Sequence, residues 1–317
     1  MATSGSTDFA VTRDVLVKDA LVDIGMVAAE DTVSAGLNAF AVRKLNMMIK
    51  TWQADGLNLW KMKRVTVLLE KSKQTYSLGP SGDLACLTGD LNETAMRVAA
   101  VATDTTMEVD TTTGMTAGDF VAVVMDDGEL HTTTIDSVTD SDTFELTTGL
   151  TAAAAIDKAV YWFTNKIARP LLISQEDAFL RDSSNNDVPV RVISRSEYNQ
   201  FSNKTNTGDI IQVYYDPQLT NGKLSVYNTA ETVTDSLELT CQMPIEDMDA
   251  ASNDFDFPQE WYLPLQTNLA VLLAPSSGIS SEEFKKLTAI ADDMKERVMG
   301  WDKEWASTYF EPNTYGK

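Results

Sequence analysis

Side chains able to do acid–base, nucleophilic or metal chemistry are unevenly supplied here: one histidine, His131, two cysteines, Cys86 and Cys241, and 47 aspartates and glutamates against 25 lysines and arginines. His131 lies in the threonine-rich run LHTTT and reads as a strand-surface residue rather than a general base. With so many carboxylates, pairs at glycosidase-like separations arise by chance, so their abundance assigns no acid and no base. GxSxG, HExxH, P-loop and Rossmann fingerprints are missing from the sequence. Cys86 and Cys241 have no CxxC spacing and no histidine cluster, and read as buried thiols without a redox or metal role. The chain is therefore expected not to be an enzyme, with no catalytic, cofactor-binding or metal-binding residue and no cofactor.

Binding chemistry is better represented. EDMDAASNDFDFPQE holds Glu246, Asp247, Asp249, Asp254, Asp256 and Glu260 with no basic residue. Its carboxylates suit calcium by type, but the glycine and terminal glutamate of an EF-hand loop are missing, and the same objection applies to Asp136, Asp140 and Asp142. Residues 43 to 73 are locally basic, with Arg43, Lys44, Lys50, Lys61, Lys63, Arg64, Lys71 and Lys73 against Asp55 and Glu70. Such a segment is either a solvated face or a surface for an acidic partner, such as a neighbouring copy's acidic loop. The last residues concentrate Trp301, Trp305, Tyr309, Phe310 and Tyr315, which either pack back on the chain or anchor it in a partner. The net charge of −22 opposes nonspecific wrapping on DNA, which depends on neutralising phosphates.

The elements that must hold these groups can be read from periodicity. Val15, Leu16, Ala20, Leu21 and Ile24 mark a helix that ends at Gly25. Ser34 caps a second helix with Ala41, Leu45, Met48, Ile49 and Trp52 on one face, stopping at Asp55-Gly56. Strand patterns follow at Val65 to Leu69 and Thr75 to Leu78. Between Arg97 and Lys158 there is no lysine or arginine but twelve acidic residues, and short Thr/Val-rich runs separated by turns, including Asp127-Gly128, predict an inserted antiparallel barrel or sandwich. Beyond it, VPVRVIS, IIQVYYD, KLSVYN and LELTCQM read as strands, with a hairpin signal at Asn221-Gly222. A helix starting near Pro258 and another opened by the Ser280/Glu283 capping box complete the pattern. No run of about 18 apolar residues occurs and MATSGSTDF lacks the features of a secretory signal, so the chain is expected to be made and kept in cytosol.

The succession LVDIG, LNMMIKTWQADGLNLW, TYSLGPSGD, IARPLLISQEDAFLRD, VPVRVISRSEYNQFSNKTNTGDIIQVYYDPQLTNGKLSVYN and LPLQTNLAVLLAP resembles the head-to-tail adaptor family (tail accessory factors, packaged-DNA stabilisation proteins) of short-tailed bacteriophages, the podoviruses. The series covers about three quarters of the chain, outside roughly residues 85 to 165, and its force lies in the order rather than in any one segment. GMTAGDFVAVVMDDGELHTTTI is similar to a module inserted in larger members of that family.

Together with the patterns above, the resemblance implies an α+β chain: an antiparallel helical bundle with a small β-sheet region, plus an inserted small all-β barrel or sandwich domain. The domain boundaries expected are 1–90 and 166–300 for the two halves of the adaptor core, 91–165 for the acidic insert, and 301–317 for a portal-docking tail. The implied function is structural: a virion neck connector, a dodecameric ring assembled in the host cytoplasm between the portal protein and the tail nozzle or tube. Such a ring extends the DNA channel and retains packaged DNA, which passes without specific binding, and it has no membrane anchor. The alternatives are a virion β protein that binds host envelope or carbohydrate, and a peptidoglycan-cleaving virion enzyme. Residues 90 to 165 carry the first of these; the second lacks any fingerprint.

Overall fold

In a computed structural model of the chain, the structure describes residues 5–6, 9–54, 59–252 and 255–301. Among them are five α-helices: α1 (Arg13–Asp23), α2 (Ala35–Ala54), α3 (Arg195–Asn199), α4 (Tyr262–Leu273) and α5 (Ser281–Trp301). The chain divides into two compact units, a helical one from residues 1–60 and 245–317 and a β unit from 61–244.

In the helical unit, α1 buries Leu16, Val17, Ala20 and Leu21, and Ile24 just beyond it is buried too, whereas Val15, expected on the same face, is exposed and Val17 takes its place. It stops in a Schellman arrangement: Gly25 adopts φ +71°, its N–H bonds to Val22 O at 2.9 Å and that of Met26 to Leu21 O at 3.0 Å. Ser34 Oγ accepts from Leu37 N at 3.4 Å, and α2 buries Ala41, Leu45, Met48, Ile49 and Trp52. Pro264 sits in the first turn of α4, where a missing N–H costs no helical bond. Leu265, Leu269, Ala270 and Leu273 of α4 join α1 and α2 in one apolar core, against which Phe284, Leu287 and Val298 of α5 pack. The capping box that opens α5 is formed, with Glu283 N donating to Ser280 Oγ at 3.2 Å and Ser280 N donating to Glu283 Oε2 at 3.3 Å.

The β unit holds fifteen strands in three sheets. The first sheet, in the order β11 (Asp187–Pro189), β10 (Leu172–Arg181), β15 (Ser236–Gln242), β1 (Met62–Leu68) and β3 (Cys86–Thr88), is antiparallel throughout. The second runs β12 (Arg191–Val192), β13 (Gln212–Asp216), β14 (Gly222–Tyr227) and β2 (Thr75–Leu78). One core lies between them: Val65, Val67, Leu237 and Leu239 from the first meet Tyr76, Leu78, Val213, Leu224 and Val226 from the second.

The third sheet is the insert, ordered β4 (Asn92–Ala95), β9 (Ala159–Phe163), β6 (Phe120–Val124), β7 (Leu130–Val138), β8 (Thr143–Leu146) and β5 (Thr106–Glu108). A bridge between Met96 and Val109, with Asp110 N bonded to Ala95 O at 3.0 Å, returns the last strand to the first and closes a small barrel. Met107, Val121, Val123, Ile135 and Phe144 fill it. Entry and exit run side by side, since Thr88 N donates to Asn165 O at 3.1 Å. On the barrel's outside, Ala122, Val124 and Phe163 pack with Leu68 and Leu87 of the first sheet.

This architecture overturns the expectation of an antiparallel helical bundle with a small β-sheet region. α1, α2, α4 and α5 do share a core, but the described chain is mostly β, with fifteen strands in three sheets beside five helices. The cause is visibility: helices of 11 to 21 residues display several turns of apolar periodicity, while most of the strands are only two to five residues long and show one or two alternations.

Candidate interaction surfaces

The acidic loop is a packed strap. Ile245, Met248, Phe255 and Phe257 are buried in the helical core, which fixes the backbone and leaves Glu246, Asp247 and Asp249 exposed between them. Asn46 of α2 bonds the Met248 backbone twice, accepting from its N–H at 3.2 Å and donating to its carbonyl at 3.4 Å, and Arg13 Nη1 donates to the same carbonyl at 3.3 Å. Trp60 Nε1 donates to Asp256 O at 3.2 Å, while Glu246 N donates to Asp256 Oδ2 at 3.3 Å. Lys50 Nζ closes the strap, 2.6 Å from Ile245 O and 2.8 Å from Asp247 Oδ1. One basic and one acidic member of the segments expected to meet across subunits thus pair within a single chain. Asp249 lies in the same strap and Glu260 follows it in an exposed turn, whereas Asp254 is outside the described residues.

The other basic residues are divided between the two units. Arg43 is exposed on α2 and Lys44 lies over the Phe40 ring, 5.8 Å from its centroid. Lys61 is buried just before β1, and Lys63 and Arg64 are exposed on it, in the β unit. Trp301 ends α5; Trp305, Tyr309, Phe310 and Tyr315 lie outside the described residues. His131 is buried on β7 at 7% exposure, not on the strand surface, with Nε2 3.2 Å from Thr148 O. Cys86 and Cys241 are free buried thiols whose ionisation is pushed up by burial. Among the described residues, no three His, Cys, Asp or Glu side chains converge as a metal site. Asp140 and Asp142 are used in turn and ion-pair contacts: Asp142 N donates to Asp140 Oδ1 at 3.1 Å, and Asp142 pairs with Arg97.

The sequence gives little warning of the cleft on the outer face of the first sheet. Register aligns Thr66 with Glu238, Leu68 with Ser236, Phe179 with Glu238 and Arg181 with Ser236, so these residues and Arg64 share the face opposite the sandwich core. Together with the base of the barrel, which supplies Glu93 and Tyr161, this face encloses about 480 Å³. Glu238, only 4% exposed, receives Thr66 Oγ1 at 3.0 Å from each oxygen and Ser236 Oγ at 3.3 Å. Arg181 grips Asp187 through two parallel bonds of 2.8 and 3.0 Å, which hold the Asp187 carboxyl below its ordinary range. The guanidinium groups of Arg64 and Arg181 each lie 5.2 Å from the centroid of Phe179. Burial first, then the charges of Glu93 and Asp235, push the Tyr161 phenol up to about 12. The one available signal was a glutamate in the middle of the apolar strand LELTCQM; its partners come from strands far away in sequence.

Comparison with protein-family models and with curated proteins finds no match to this chain.

Proposed function

We propose that this protein is a structural, non-enzymatic component of a podovirus virion: a head-to-tail adaptor whose copies, twelve by analogy, form a ring between portal and tail. The observation that carries the reading is that segments resembling the adaptor series from distant parts of the chain meet in space. TYSLGPSGD and LTNGKLSVYN lie side by side through β2 and β14, with Asn221 Nδ2 donating to Ser81 Oγ at 2.9 Å. LVDIG, LNMMIKTWQADGLNLW and LPLQTNLAVLLAP contribute to one helical core.

In the proposed ring, α5 leads into the aromatic tail that docks on the portal. The acidic chain, at −22, presents a channel wall that repels phosphate and lets DNA slide. The test is to mix the purified chain with portal rings and examine the mixture by mass photometry and negative-stain microscopy. A discrete portal complex carrying one added ring is expected, and it is lost on deleting residues 301–317. Folded protein that gives no complex would overturn the adaptor assignment, and a complex that survives the deletion would overturn the tail as its anchor.

A further inference from the structure

We propose that the apolar groove at the connection between α4 and α5 is the seat of this chain's own C-terminal tail, with Tyr309 and Phe310 as the residues that fill it. α4 ends at Leu273 and α5 starts at Ser281, joined by Ala274 to Ser280, a link without a charged residue. Gly278 in that link adopts φ +77°, and a Cβ there would meet nothing within 4 Å. Pro275, Gly278, Ile279 and Phe284 line a groove of about 460 Å³, within the roughly 300 to 1,000 Å³ of ligand sites. Pro275 and Gly278 are exposed; Ile279 and Phe284 pack on the helical core yet stay half-buried, so apolar surface is left facing water. Lys285 lines the same groove and has no ion-pair partner among the described residues.

The length of the tail selects it as the occupant. α5 spans 21 residues, so its first residue lies about 30 Å from Trp301 at a rise of about 1.5 Å per residue. Sixteen residues follow Trp301. A chain running back beside the helix at about 3.3 Å per residue covers that distance at its eighth or ninth residue, and these are Tyr309 and Phe310. Glu311 comes next, opposite in charge to Lys285. Each aromatic side chain can bury roughly 150 to 250 Å², which takes the groove's apolar wall out of water. A tethered segment also stands at an effective concentration on the order of millimolar, which favours it over a second copy's tail or a free ligand. The contact does not depend on the adaptor reading; only the further step, in which the tail leaves this groove to dock on a portal, rests on it.

The test compares amide NMR spectra of the full chain, a chain ending at Trp301 so that α5 stays whole, and a full-length Tyr309→Ser/Phe310→Ser variant, all without portal. Truncation is expected to shift the amides of Gly278, Ile279, Ser281 and Lys285, far from the cut, and the double variant to shift them in the same direction. A synthetic peptide of residues 302–317 added to the truncated chain is expected to restore the full-chain shifts saturably. Lys285→Glu weakens that peptide at least twofold, the effect of losing an exposed ion pair. Groove amides unmoved by truncation, or not restored by the peptide, overturn the proposal whatever the chain does on a portal. Truncation shifts that the double variant does not reproduce overturn Tyr309 and Phe310 as the seated residues. Shifts that grow with protein concentration overturn it too, by putting a second copy's tail in the groove.

Discussion

At the scale of single residues, the segment GPSGD shows why a small side chain is needed where a turn folds back on its own strand. A Cβ on Gly82 would stand 2.0 Å from the carbonyl oxygen of Ser77, a backbone atom that cannot move aside. Lys166 Nζ, 2.6 Å from Gly82 O, and Asp83, which accepts from Ser77 N at 2.9 Å, hold the turn in that position. Gly82→Ala is therefore expected to destabilise the chain by about 2 kcal/mol, the usual cost of forcing a side chain into filled space, measured by urea denaturation. Tyr161 offers a second test. Its phenol is pushed up to about 12, so the folded state keeps the proton longer than the unfolded chain, which releases it near 10. Its contribution to stability is thus complete below pH 10 and is lost as pH rises toward 12. Tyr161→Phe should flatten that part of the stability–pH curve; an unaltered slope would show that the phenol is freely hydrated.

At the scale of elements, the helix signals were legible because capping and periodicity are local. Gly25, Ser34, Pro264 and the Ser280/Glu283 pair occupy the roles their positions in the sequence predict. Ser280→Ala removes the Oγ acceptor of Glu283 N and is expected to cost about 1 kcal/mol, with fraying of α5 visible as faster amide exchange in its first turn. Strand signals were weaker. β5 covers Thr106–Glu108 and β11 covers Asp187–Pro189, too short for alternation to show which face is inside. Asn221-Gly222 marks a real hairpin, but Gly222 is the first residue of β14, so the connection is longer than the two-residue turn the dipeptide suggests.

At the scale of the whole molecule, the β unit begins and ends at one place: Met62 pairs with Gln242, and Met243 N donates to Lys61 O at 2.8 Å. A unit with its own cores and adjacent ends is expected to fold alone. Residues 61–244 expressed separately should unfold in one cooperative transition with near-native amide dispersion; a collapsed species without dispersed shifts would show that the helical unit is needed to complete it.

By itself the sequence determined the helix limits, five of the barrel's six strand runs, the acidic strap's composition, and the buried state of both cysteines, because each depends on neighbours a few residues away; the first barrel strand, expected at 95–102, lies at Asn92–Ala95. It also carried the ordered resemblance on which the adaptor reading rests. Only the tertiary structure decided that β-structure outweighs the helices, that Lys50 closes on Asp247 in the same chain, and that His131 is buried. It alone placed Thr66, Phe179 and Glu238 beside one another on neighbouring strands. These are pairings across more than fifty residues, and register between distant strands is set by how whole faces pack, a quantity that no local pattern encodes.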